Sequence, residues 1–114
     1  KGELHERIYD VAVAGGRPIG ADGRCKASVG STVDVENATW SNTIGAPELI
    51  AVWKDPDFDA KQRAFYYGRV IEIPTPRWST LLAAGNGLPL PSDVPATIQQ
   101  RGWSSPIWYT PPVR

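Results

Sequence analysis

The stretch Arg63-Ala-Phe-Tyr-Tyr-Gly-Arg-Val-Ile-Glu-Ile73 decides how this chain is read. It alternates with a period of two, placing Phe65, Tyr67, Arg69, Ile71 and Ile73 on one face and Ala64, Tyr66, Gly68, Val70 and Glu72 on the other. That period, carried by β-branched and aromatic residues, is the pattern of a β-strand. It stops at Pro74 and Pro76, just before Trp78. A second piece, Trp103-Ser-Ser-Pro-Ile-Trp-Tyr-Thr110, reads as its partner, and the two suggest the closing pair of a β-sandwich.

Outward from this pair, residues 4–14 read as a strand with Tyr9, Val11 and Val13 on one face, ended by Gly15-Gly16. Residues 17–30, rich in Gly, Ala, Asp and Lys, read as an exposed loop. Residues 32–39 alternate again with Val33 and Val35 inward, and 40–47 suit an irregular crossing. Glu48-Leu-Ile-Ala-Val-Trp53 is an apolar run of strand length. Asp55-Pro-Asp-Phe-Asp59 is a turn, since Asp side chains bond local amides and Pro fixes φ.

The excursion 74–102 is too long for a hairpin loop. Within it Ser79-Thr-Leu-Leu-Ala-Ala84 is the one helical segment expected, with Ser79 as N-cap and Gly85 as the stop. Pro89, Pro91 and Pro95 keep the next part extended, and 97–100 and 105–110 finish as strands. Eleven Pro, eleven Gly and five Trp fit turns between short strands better than long helices. The expected fold is all-β: a small sandwich, immunoglobulin-like or Greek-key, of about six or seven strands with a long Pro-rich insertion and at most one short helix.

A length of 114 residues predicts one domain, 1–114, able to bury its own core. Twelve basic and twelve acidic residues leave no basic excess, which argues against nucleic acid as a partner. No apolar run reaches the ~20 residues that span a bilayer. The single Cys25 cannot form an intrachain disulfide and says nothing of compartment. The chain starts at Lys1 and contains no Met, so a fragment of a longer protein is expected.

Residues 62–80, with Asn42–Asp59 before them and Ser105–Pro111 after, resemble the C-terminal region of a large, mostly bacterial family, domain of unknown function three-six-zero-four. The resemblance covers roughly residues 30–112. Members of that family are several times longer, and their main body resembles the PHP (polymerase and histidinol phosphatase) metallohydrolases, in which His, Asp and Glu hold two or three metal ions. More distant relatives of the group end in a small β-sandwich whose last strands carry an Arg-Val and a Trp-Ser-Ser-Pro-Ile-Trp signature. Arg69-Val70 and Trp103-Ser-Ser-Pro-Ile-Trp108 match it. The resemblance therefore implies a C-terminal accessory domain, with the N-terminal catalytic region of the same protein as its partner. It also leans towards a periplasmic or exported parent.

The inventory of reactive groups agrees with an accessory role. A bimetallic site needs converging imidazoles and carboxylates. This chain has one histidine, His5, no His-x-His pair, and no position matching the family's metal ligands. Asp55, Asp57 and Asp59 match the first acidic positions of a calcium loop, but Ala60 and Tyr66 stand where its Gly and bidentate Glu belong. Cys25 has no His beside it to activate a thiolate. No catalytic residue, metal ligand or cofactor is expected, and the fragment is read as a non-enzyme.

The aromatic residues remain. Trp53 and Trp108 are expected in the core, whereas Trp78 and Trp103 flank the long excursion and are expected at a surface. Arg69, sharing its face with Phe65, Tyr67 and Ile71, should stack on an aromatic ring or pair with a carboxylate such as Glu48 or an Asp of 55–59. Arg77 and Arg101 lie beside Trp78 and Trp103. The expected interdomain or ligand surface is thus Arg69, Arg77, Trp78, Arg101 and Trp103. Two other readings are carried: a carbohydrate- or surface-binding module, and an oligomerisation domain whose Pro-rich arms 86–96 and 109–114 reach a neighbouring copy.

Overall fold

The computed structural model describes residues 2–113. Its regular elements run β1 (Ala64–Tyr66), β2 (Arg69–Pro76), α1 (Trp78–Asn86), β3 (Thr97–Trp103) and β4 (Ile107–Tyr109). They form two antiparallel two-stranded ribbons, β1 with β4 and β2 with β3. The alternating segment and its C-terminal partner do pair: Phe65 faces Trp108, and Arg69 faces Trp103.

The pairing is broken where the chemistry requires it. Gly68 offers no side chain to the ladder, and Pro106 has no N–H to donate. Across the gap Ser104 holds the strands together: its N–H donates to Gly68 O at 2.9 Å, and Gly68 N–H donates to its Oγ at 2.8 Å. Between Ile71 and Pro74 the register shifts, so that Glu72 and Ile73 together oppose Gln100 in a β-bulge. Strand β2 runs on through Pro74 and Pro76 because each has a neighbour on one side only, where a missing N–H is tolerated.

Helix α1 starts at Trp78, one residue before the expected segment, and extends past the expected stop at Gly85. Ser79 is not its N-cap. Arg77 holds that position without a side-chain capping bond, and Ser79 Oγ is buried with no hydrogen-bond partner among the described residues. The helix ends at Gly87, whose φ of 61° is the left-handed conformation that a C-terminal glycine supplies. Leu88 N–H closes the end on Ala83 O at 2.9 Å.

Among the described residues four strands stand where six or seven were expected. Residues 4–14 and 48–53 carry no strand pairing, and 32–39 contributes only the bridge Asp34–Thr39. Residues 35–38 form a turn closed by that bridge rather than a strand. Alternation marks which residues could share a face, but a strand also needs a neighbouring strand for its amides. No second layer among the described residues covers the ribbons. Among the described residues the buried ones are Ala14, Ala38, Pro76, Thr80 and Ala83, with no large aliphatic or aromatic side chain in that set. Trp108, expected in the core, is 71% exposed, and Val52 of the apolar run is fully exposed.

The shape follows from this. The radius of gyration is 19.1 Å over extents of 67 × 34 × 21 Å, against about 13 Å for a compact chain of this length. The accessible surface is 9442 Å², where a compact protein of this mass would show about 6100 Å². A length sufficient for a self-contained core has not produced one.

Candidate functional site

The ladder of β2 and β3 sorts the five surface residues into two groups. Arg69 lies opposite Trp103, and Ile71 lies opposite Arg101. Because side chains two apart in a strand share a face, Arg69, Ile71, Arg101 and Trp103 form one patch at the end of the ribbon remote from α1. All four are exposed. Arg69 has no carboxylate partner among the described residues; the aspartates of 55–59, expected to serve, are engaged elsewhere.

Arg77 and Trp78 lie at the other end. The Arg77 side chain donates from Nε to Pro95 O at 3.1 Å, and its backbone N–H donates to Ala96 O at 2.9 Å. It secures the 95–96 segment against the start of α1. Trp78, on the first turn, is 68% exposed. The expected single surface is therefore divided between the two ends of one ribbon.

A row of aromatic rings follows on the β1–β4 ribbon. Phe65 lies 5.1 Å from Trp108 at 35° and 6.4 Å from Tyr67 at 14°. Phe58 meets Tyr109 edge-on at 4.9 Å. These contacts are ring on ring within the ribbon, and Trp108 remains the most open of the group.

The polar cluster that sequence reading did not find joins residues 7–10, 20–25 and 53–57. Tyr9 packs against Trp53 with ring centroids 5.1 Å apart. The Asp57 carboxylate accepts from the Tyr9 hydroxyl and pairs with Arg7. Hydrogen bonding from Tyr9, then from Arg7, holds the Asp57 carboxyl below the usual carboxylate range. The same contact with Asp57, with burial second, raises the Tyr9 hydroxyl, and Arg7 is raised by its bond to Asp57. Next to it Asp10 accepts from Cys25 N–H at 2.7 Å and from Arg24 Nε at 3.2 Å. An open groove of about 640 Å³ runs between Arg7, Tyr9, Asp22, Trp53, Lys54 and Asp57.

This arrangement is a clasp. An ionised carboxylate already holding two donors is a poor base, and the groove's main polar groups satisfy one another. The Asp-rich turn behaves likewise: Asp55 accepts from Tyr66 Oη and Asp57 N–H, and Asp59 accepts from Lys61 N–H. The bond to Asp55 raises the Tyr66 hydroxyl. No group of three or more His, Cys, Asp or Glu placed to hold a metal ion occurs among the described residues. The turn was legible from its Asp-Pro-Asp pattern. Its partner Tyr9, 48 residues away, leaves no local signal.

The family model described as "Protein of unknown function (DUF3604)" matches residues 1–111. The chain belongs to the DUF3604 family. The match extends through the N-terminal arm that the resemblance over 30–112 had left out, so the segment bearing Arg7 and Tyr9 is part of the DUF3604 pattern. No curated protein and no solved structure matches the chain. No helix among the described residues is long and apolar enough to cross a membrane.

Proposed function

We propose that this DUF3604 chain is a non-catalytic accessory region that packs on a PHP-like, metal-dependent hydrolase body elsewhere in the same protein. The observation that carries the reading is the missing core: 9442 Å² of surface, with Ile50, Val52, Trp78, Trp103, Ile107 and Trp108 all more than half exposed. Apolar surface on this scale requires a cover. A body supplying further strands would complete the expected sandwich, since each ribbon has an open edge and two strands alone are marginal in water.

A carbohydrate module needs open, coplanar aromatic faces. Phe65 packs against both Tyr67 and Trp108, and its 35° tilt to Trp108 keeps that exposed tryptophan out of line with the near-parallel Phe65–Tyr67 pair. The accessory reading is tested by hydroxyl-radical footprinting of the complete protein, with its urea-unfolded form as reference. Trp78, Trp103 and Trp108 should be strongly protected as a group. Labelling at the levels their exposure in this chain implies would overturn the proposal.

A further inference from the structure

We propose that the Arg69–Ile71–Arg101–Trp103 face of the β2–β3 ribbon is the docking surface, and that it seats on a recess of the body with an apolar floor and carboxylates at its rim. The inference rests on the accessory reading and adds where contact is made and by what chemistry. Its first support is charge. The chain as a whole is neutral, with twelve basic and twelve acidic residues. Its resolved ion pairs engage His5, Arg7, Arg24 and Lys26 with Glu3, Asp57, Asp10 and Asp22. Neither Arg69 nor Arg101 has such a partner among the described residues.

The ladder supplies the second support. On this face the paired positions of β2 are Arg69, Ile71, Pro74 and Pro76, and those of β3 are Thr97, Gln99, Arg101 and Trp103. It carries two cations and no acid. The arginines sit diagonally across the ladder, each opposite an apolar residue: Trp103 at 61% exposure and Ile71 at 52%. An arginine fork on a fixed strand pairs carboxylates bidentately with little further ordering, and a tryptophan flanked by arginines is the composition of a binding hot spot. Neutral or basic partners would leave both guanidinium groups desolvated and unpaired, which opposes docking.

The far end of the ribbon is already closed by its own chain: Pro76 and Thr80 are buried, and Thr80 bonds Ala96. The end bearing Arg69 and Trp103 is therefore the part of the ribbon left to receive a partner.

The test uses the complete protein and measures hydroxyl-radical labelling at Trp103, with Trp78 and Trp108 in the same sample and the urea-unfolded protein as reference. Trp103 should be protected in the wild type. The double reversal Arg69→Glu with Arg101→Glu should raise its open fraction by at least ~30-fold, while Arg69→Lys with Arg101→Lys should raise it far less. Hydrogen exchange of residues 77–87 should stay unchanged in both variants, which shows that the helix next to the ribbon remains folded. If Trp103 stays protected after reversal, the acidic acceptor is wrong although docking stands. If Trp103 is open in the wild type while Trp78 and Trp108 are protected, the body docks on another face. If all three are open, the accessory reading itself fails.

Discussion

Thr80 is the one fully buried side chain of the helix, and its two functions can be separated by substitution. Its Oγ1 donates to Ala96 O at 2.7 Å, and the same carbonyl accepts Arg77 N–H at 2.9 Å. Thr80→Val keeps the shape and deletes one hydrogen bond, but leaves the carbonyl with its Arg77 partner, so no buried group is orphaned. The expected cost is about 1 kcal/mol. Thr80→Ser keeps the bond and removes a buried methyl, again about 1 kcal/mol. Thr80→Ala does both, for about 2 kcal/mol if the contributions add. Hydrogen exchange read by mass spectrometry on peptides covering 77–87 reports local opening without requiring global two-state unfolding. Exchange should accelerate ~5-fold for Val and Ser and ~30-fold for Ala. Wild-type exchange in Thr80→Val, with Ser and Ala equally fast, would show that the methyl alone holds the helix and refute the role given to the Ala96 bond.

Two glycines should respond differently to alanine. At Gly45, φ is 79° and an added Cβ would lie 2.6 Å from Ile73 Cγ2, so strain and overpacking combine; a loss of about 3 kcal/mol is expected, read as faster exchange in 43–46 and 70–75. At Gly87 a Cβ meets nothing within 4 Å, so only the left-handed backbone resists, at about 1 kcal/mol, and Gly87→Asn should be milder still by the same exchange assay. The clasp has a pH window. Asp57 is depressed on folding, so its contribution is present above the unfolded value near ~4 and is lost as pH falls through the lower folded value. Tyr9 is raised, so its contribution is present below ~10 and is lost as pH rises through the higher folded value. Tyr9 and Trp53 fluorescence should thus hold steady from pH 5 to about 9 and change at both extremes, and Asp57→Asn should abolish the acid transition.

The β character of 63–73 was legible because alternation is a local property of the chain, and so was its pairing with the C-terminal segment through their matching aromatic residues. The Asp55–Asp59 turn was legible for the same reason, since Asp55 and Asp59 each bond an amide two residues on. The break at Gly68 and the bulge at Glu72-Ile73 were not, because they arise from the partner strand: Ser104 and Pro106 in one case, Gln100 in the other. Ser79 resembled a helix cap by composition, yet the chain enters the helix at Arg77 under the hold of Pro95 and Ala96.

What the sequence by itself determined is the extended ribbon, the short helix, the turn chemistry and membership of DUF3604, all carried by near neighbours or by unbroken motifs. Only the tertiary structure decided that these parts enclose no core, that Asp57 joins Arg7 and Tyr9 in a clasp, and that Arg69, Arg101 and Trp103 share one exposed face while Arg77 is tied to Pro95 at the other end of the ribbon. Burial and register depend on what lies across space from a residue, and a period of two shows that a strand has two faces without showing what covers either one.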